Sequence, residues 1–259
     1  MGLASAEYKF TFVDLFAGLG GFHQAASRFG GKCVLASEIN PLLRELYRSN
    51  FDVAAHGDIR DVPIADVPDH DVLFAGFPCQ PFSKAGKQMG WEDAVRGTLF
   101  ENIVNIVKAK APKVLIMENV AHFVRHDDGQ TYEKVQNALR AIGYRIDYKQ
   151  MSPHQFSVPH IRERIYMVAS KKSLDGFSWP NPDASTTLDI STILDTRPAE
   201  AIPLSSQVEA CLDLWQEFLD LIPVTTKLPS FPIWSMEAGA DYPITRKNLV
   251  SYTSGELAS

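Results

Sequence analysis

Between Lys9 and Ala169, short apolar runs alternate with stretches whose apolar residues recur at helical spacing, and this constrains the fold of the 259-residue chain more than any other feature. The runs Lys9 to Leu15, Lys32 to Ser37, Val72 to Phe77, Val114 to Met117 and Arg164 to Ala169 read as strands. Gly20 to Phe29, Pro41 to Asn50, Thr98 to Lys110 and Thr131 to Ile142 read as helices. Pro41 suits a first helical turn, Leu99, Ile103, Ile106 and Val107 give the third helix its apolar side, and Gly143 closes the fourth. Helices that follow strands in this rhythm cover the two faces of one sheet. The alternation therefore predicts an α/β fold with a doubly wound, mostly parallel sheet.

From about Ser173 the texture changes to Pro, Ser, Thr and Asp, with Pro180, Pro182, Pro198, Pro203, Pro223, Pro229, Pro232 and Pro243 interrupting regular structure. A domain boundary is expected there, dividing residues 1–172 from a Pro-rich appendage at residues 173–259. One amphipathic helix is expected in the appendage, with Val208, Leu212, Trp215 and Leu219 on one face and Glu209, Asp213, Glu217 and Asp220 on the others. Such a face packs on its own domain or, alternatively, docks a partner.

Composition narrows the setting. With 45% hydrophobic and 22% charged residues the chain can bury a full core. No apolar run approaches the ~20 residues needed to span a bilayer, and the first residues have neither a basic-then-apolar signal nor, with Ala6, a myristoylation pattern. No membrane partner and a cytoplasmic location are expected, nucleoid-associated in a bacterium. Three cysteines, Cys33, Cys79 and Cys211, form no C-x-x-C pair, which fits a reducing compartment and not structural zinc. The net charge of −6 argues against nucleic acid only on average. Arg140, Arg145, Lys149, Arg162, Arg164, Lys171 and Lys172 face just Asp147 and Glu163 in their segment, whereas Asp175 to Asp220 carries nine acids and one base, Arg197.

Two groups of residues carry chemistry. The first is Phe12-Val-Asp-Leu-Phe-Ala-Gly-Leu-Gly-Gly-Phe22, a turn between the first strand and the first helix. Gly18, Gly20 and Gly21 permit a tight bend and close approach of a ligand, and the helix start offers free N–H groups. Glu38 follows at the end of the second strand, where an acid can bond both ribose hydroxyls. Asp58 is expected at the next strand end, able to accept from an adenine amino group between the apolar walls Ile39 and Ile59. Together these outline an adenosine site. No Walker-type Gly-x-x-x-x-Gly-Lys-Ser/Thr stretch exists, which leaves S-adenosylmethionine or a dinucleotide.

The second group is Cys79 with Glu118. Cys79 lies between Pro78 and Gln80 just past an apolar run that Pro78 is expected to end, a place where open α/β sheets bind ligands. Glu118 lies just beyond Val114 to Met117, so both side chains are expected at one edge of the sheet. Partial burial raises a carboxyl pKa and favours the protonated form that donates to a ring nitrogen. Cys33 and Cys211 read as inert thiols.

Phe16-Ala-Gly-Leu-Gly-Gly21, Gly76-Phe-Pro-Cys-Gln-Pro-Phe-Ser83, Arg96-Gly-Thr-Leu-Phe100, Glu118-Asn-Val120 and Arg162-Glu-Arg164 occur in the order and spacing of cytosine-C5 DNA methyltransferases, which the chain resembles from about Phe12 to Ala169. The resemblance implies the S-adenosylmethionine-dependent methyltransferase type of sheet, and transfer of a methyl group to C5 of cytosine in a specific double-stranded DNA sequence. S-adenosylhomocysteine is the product, and no metal is called for. In the family, the cysteine matching Cys79 attacks C6 of a flipped cytosine while the acid matching Glu118 bonds N3 and the amino group. C5 of cytosine is a poor nucleophile until C6 carries a covalent substituent, so chemistry and motif agree. Arg162 and Arg164 match the arginine pair at the cytosine oxygen and neighbouring groups. Phe16, Ala17, Gly18, Leu19, Gly20, Gly21, Glu38, Ile39, Asp58, Ile59, Pro78 and Leu99 match cofactor-site positions. Gln80, Ser83 and Lys87 fall on substrate and loop positions, within a segment Ser83 to Arg96 that matches a loop closing over flipped DNA. Asn119 matches a residue that orients the loop around the site.

The chain departs from the family pattern in two places. Ser157 stands where the family has glycine and His160 where it has glutamine. The late motifs that follow a target-recognition region are missing by Ser259, and Phe231 to Pro243 resembles only the entry to such a region. A truncated piece and one subunit of a split enzyme, with a second polypeptide carrying those motifs, both fit, and in either case weak cofactor binding and poor methylation by the chain alone are expected. An RNA cytosine-C5 methyltransferase and a non-catalytic cofactor-binding subunit are the alternative readings.

Overall fold

The computed structural model describes residues 8–78, 98–183, 189–196, 198–223 and 225–226. It contains one six-stranded sheet in the order β2-β1-β3-β4-β6-β5. The strands are β1 (Phe10–Leu15), β2 (Gly31–Ser37), β3 (Val72–Ala75), β4 (Val114–Val120), β5 (Arg145–Met151) and β6 (Arg164–Ser170). The α-helices are α1 (Gly21–Arg28), α2 (Pro41–Phe51), α3 (Leu99–Lys110), α4 (Gln130–Ala141) and α5 (Ser206–Leu221). Neighbours from β2 to β4 run parallel, whereas β6 is antiparallel to both β4 and β5. The sheet is thus α/β and mostly parallel, as the alternation predicts.

Local chemistry sets the element ends. Asn40 accepts from the Leu42 and Leu43 amides ahead of Pro41, and Thr98 accepts from the Glu101 amide, each supplying a partner to orphan donors at a helix start. Leu15, Leu73, Leu115 and Met117 pack with Ile103, Ile106, Val135 and Leu139 of α3 and α4 in the main core. Phe12 and Phe74 pack with Ala26 of α1 in a second cluster, so helices cover both faces of the sheet.

The structure corrects the expected strands in three places. β5 is absent from the expected strands: Arg145, Asp147 and Tyr148 are exposed, so this edge strand has no clean alternation to announce it. β3 stops at Ala75, not Phe77; Gly76 still donates to the Leu15 carbonyl at 3.4 Å, so the ladder fades before Pro78 instead of being cut by it. β4 continues to Val120, which puts Glu118 inside a strand, paired with Tyr166 of β6 but already past the end of β3.

The chain divides into two compact units, Met1–Ile190 and Ser191–Ser259. In the first, Lys149 Nζ donates to the Pro180 carbonyl at 3.0 Å and Trp179 Nε1 to Asp147 at 2.8 Å. In the second, α5 is capped by Ser205, and none of its residues is buried. Val208 and Leu212 of its apolar face are exposed, and Trp215 stacks on Phe218. No helix among the described residues is long and apolar enough to cross a membrane.

Candidate active site

A cleft of about 430 Å³ opens at the carboxyl ends of β1, β2 and β3, lined by Phe16, Ser37, Glu38, Ile39, Gly57, Asp58, Ile59, Arg60, Gly76, Pro78 and Leu99. Seven of these are residues expected at a cofactor site: Phe16, Glu38, Ile39, Asp58, Ile59, Pro78 and Leu99. Ala17, Gly18, Leu19, Gly20 and Gly21 do not line it. Ala17 is buried beside Tyr47, and Leu19 is exposed.

The glycine-rich turn shapes one wall. Phe16 holds a left-handed φ of +57°, a sparsely populated conformation for a non-glycine residue that the surroundings must enforce. The Ala17 amide donates to the Ser37 carbonyl at 2.9 Å, and the Gly18 amide donates to Glu38 Oε2 at 2.9 Å. Glu38 Oε1 accepts from the Asn40 amide, also at 2.9 Å, so both carboxylate oxygens are fixed in place and each keeps a lone pair for a ligand. Gly20, at φ +83°, faces the Phe51 ring where a side chain would start. Gly20→Ala is expected to cost about 2–5 kcal/mol, from left-handed strain plus overpacking. Urea unfolding measures this; a loss of only about 1–2 kcal/mol would mean that Phe51 yields freely and the left-handed strain alone remains.

Asp58 sits where no strand end exists, correcting the expectation: it caps a short 3-10 turn, Ile59–Asp61, just after the isolated bridge between Ser37 and His56. Arg60 Nε donates to both its oxygens at 3.0 Å, and this side-chain bonding holds the Asp58 carboxyl below the usual range. An anionic acceptor therefore faces the cleft next to the apolar Ile39 and Ile59, chemistry that fits an adenine amino group.

Glu118 is half-buried, with Oε1 2.8 Å from Arg164 Nε. Burial pushes its carboxyl up, while Arg164 and Arg162 pull it down. Gly76 joins this acid to the cleft: it lines the cleft, and Glu118 Oε2 and the Phe16 carbonyl lie 3.7 and 3.9 Å from where its side chain would begin. Arg164 donates to the Glu163 carbonyl as well, and the exposed Arg162 is anchored through its amide to Ser152 Oγ at 2.8 Å. Asn119 is buried and donates to the Phe77 carbonyl at 2.9 Å, fixing the backbone that leads into Pro78 and Cys79. Cys79, Gln80, Ser83 and Lys87 lie outside the described residues, as does the expected loop from Ser83 to Arg96.

Ser157 has φ +64° at the end of the turn Pro153–Phe156, the conformation that explains a glycine there in the family pattern. The lining residues Ser37, Gly57, Arg60 and Gly76 were not foreseen. All four have the same signal in the sequence, nearness to a residue already singled out: Ser37 precedes Glu38, Gly57 precedes Asp58, Arg60 follows Ile59 and Gly76 lies two before Pro78.

The sequence matches the C-5 cytosine-specific DNA methylase family over residues 10–237. It is 46% identical over 173 residues to the type II methyltransferase M.HhaI of Haemophilus parahaemolyticus, covering 66% of this chain and 53% of that protein. It is 41% identical over 187 residues to M.MspI of Moraxella sp, covering 72% of this chain and 44% of that one. The chain thus spans about half the length of these curated relatives. Among solved structures, the Dnmt2 methyltransferase of S. pombe superposes with a TM-score of 0.60 at 25% identity, over 78% of this chain and 66% of that one.

Proposed function

The chain belongs to the C-5 cytosine-specific DNA methylase family, and on that premise we propose that it transfers a methyl group from S-adenosylmethionine to C5 of cytosine in a specific double-stranded DNA sequence. The observation that carries this reading is the meeting, at Gly76, of a cleft lined by Glu38, Asp58 and apolar side chains with a half-buried acid held by an arginine. When bound, the cofactor supplies the methyl group as part of a sulfonium. Glu38 would hold the ribose, Asp58 the adenine amino group, and Phe16, Ile39, Ile59, Pro78 and Leu99 the apolar surfaces.

The flipped cytosine sits against Glu118, which in protonated form donates to ring N3 and accepts from the amino group. The Cys79 thiolate adds to C6 and the C5–C6 electrons pass to C5, which would take the methyl group as its bond to the sulfonium sulfur breaks and the neutral thioether, S-adenosylhomocysteine, leaves. Loss of the C5 proton then drives β-elimination, which restores the ring and frees the thiolate. Arg164 orients Glu118, and Arg162 faces the cytosine oxygen. Residues 1–172 form the catalytic domain and 173–259 open a target-recognition region. That the match covers only 44% of one relative and 53% of the other supports further polypeptide, in this chain or a second one, completing the cofactor side. Three cysteines in no C-x-x-C pair fit a cytoplasmic setting.

Tritium transfer from labelled S-adenosylmethionine is expected to double-stranded DNA and not to tRNA, rising when downstream family polypeptide is added. Transfer to tRNA alone would overturn the DNA reading.

A further inference from the structure

A polar cluster behind the cleft has no part in this chemistry. Asp14, the single acid of β1, is fully buried. Its Oδ2 accepts from the Tyr47 hydroxyl at 3.3 Å, and its Oδ1 has no hydrogen-bond partner among the described residues. The same hydroxyl lies 2.7 Å from His23 Nδ1 and 3.8 Å from Cys33 Sγ. A hydroxyl has one proton to give. With that proton given to Asp14, His23 is the donor to Tyr47 and carries its own proton on Nδ1.

Four elements, β1, β2, α1 and α2, therefore meet at one hydroxyl, and they are the elements that surround the glycine-rich turn. The His23 ring stacks on Phe51 at 4.1 Å, and Phe51 in turn fills the space beside Gly20. α1 starts at Gly20 with no side-chain cap of its own. The cluster thus grips the turn from behind while Glu38 holds it from the front through Gly18. For packing alone an apolar side chain would cost less at position 14, since a buried carboxylate with one oxygen unpaired is expensive.

We propose that Asp14 is a positioning residue for cofactor binding, fixing the turn from Phe16 to Gly20 through Tyr47 and His23. This role rests on the cleft taking S-adenosylmethionine. Burial, which outweighs Tyr47 and the His23 backbone amide, pushes the Asp14 carboxyl up to about 7, and Glu38 adds to the rise. Burial pulls the His23 imidazole down and pushes the Cys33 thiol up to about 11, so neither competes for the neutral window. Burial also pushes the Tyr47 hydroxyl up. β3 sets the uncharged Phe74 opposite Asp14.

The test uses the full chain, with binding of S-adenosylhomocysteine measured calorimetrically from pH 6 to 8.5 and amide hydrogen exchange measured without ligand. Asp14→Ala and Tyr47→Phe are expected to weaken binding about tenfold, the scale of one hydrogen bond to a charged group. Protection of the Gly18 and Gly20 amides, bonded to Glu38 and to the Ala17 carbonyl, falls with it, while β3 and β4 are unchanged. Wild-type binding tightens with pH as the carboxylate gains its charge. Asp14→Asn keeps an acceptor, recovers most of the affinity lost in Asp14→Ala, and loses the pH dependence. Should Asp14→Ala fail to fold, Tyr47→Phe, which keeps the ring, decides. Unchanged affinity and protection in Tyr47→Phe would overturn the role and leave the cofactor reading standing. A wild type that binds no S-adenosylhomocysteine, even with downstream polypeptide added, would overturn the cofactor reading itself.

Discussion

Cys79→Ser is expected to abolish methyl transfer, by on the order of 10⁴-fold or more, the scale on which removing an attacking group acts in hydrolases. A serine hydroxyl is a far weaker nucleophile than a thiolate near neutral pH, and cytosine C5 cannot accept a methyl group until C6 carries a substituent. What leads into position 79 is held firmly. The Phe77 ring is buried against Phe100 and Phe123, with centroids 5.6 Å away in each case, and the Phe77 carbonyl is tied to Asn119. Substituting the sulfur should therefore leave the cleft intact, and Cys79→Ser should bind S-adenosylhomocysteine as the wild type does. DNA carrying 5-fluorocytosine makes the step visible, because a C5 fluorine cannot leave as a proton. Wild type should be trapped as a covalent adduct and Cys79→Ser should not; an adduct formed by the variant would assign the attack to another residue.

The parts of this site that were legible in the sequence are those that a strand end presents. Glu38 and Pro78 follow short apolar runs, and a run that fills the middle of a sheet announces the residues that come after it. β5 escaped because it is an edge strand with one neighbour: Arg145, Asp147 and Tyr148 face outward, and Ile146 is its one buried residue. Without β5, the antiparallel placement of β6 could not be read either, since a helix followed by an apolar run looks the same whichever way the strand runs. The register of β6 matters most for function, because it sets Arg164 and Tyr166 beside Glu118. Asp58 reads in the sequence as a strand end, but a 3-10 cap and Arg60 place it in the cleft instead. Asp14 left one trace, an acid within an apolar strand. Its meaning depends on Tyr47, 33 positions away, and contacts of that span are not written in local pattern.

Arg164→Met is expected to move the alkaline limb of the rate profile to higher pH while lowering the rate itself, two effects that a purely structural arginine would not combine. Glu118 is pushed up chiefly by burial and pulled down by Arg164 and then Arg162, and among the described residues its cross-strand neighbour Tyr166 is also coupled to it. If the protonated acid donates to cytosine N3, the rate falls as pH rises through the folded-state pKa of Glu118. Taking away the guanidinium removes the larger of the two lowering influences, so the carboxyl holds its proton to higher pH. The same shift has a thermodynamic counterpart: an acid with a raised folded pKa contributes stability that is fully present below its unfolded value and is lost as pH rises through the folded one. Glu118→Gln supplies the control. It keeps the shape but cannot titrate, so it should lose about 10²- to 10⁴-fold in rate and the alkaline limb as well. If Arg164→Met instead loses rate on the acid side, with that limb moved to higher pH, Glu118 works as a carboxylate, and the proton given to the ring has to come from elsewhere.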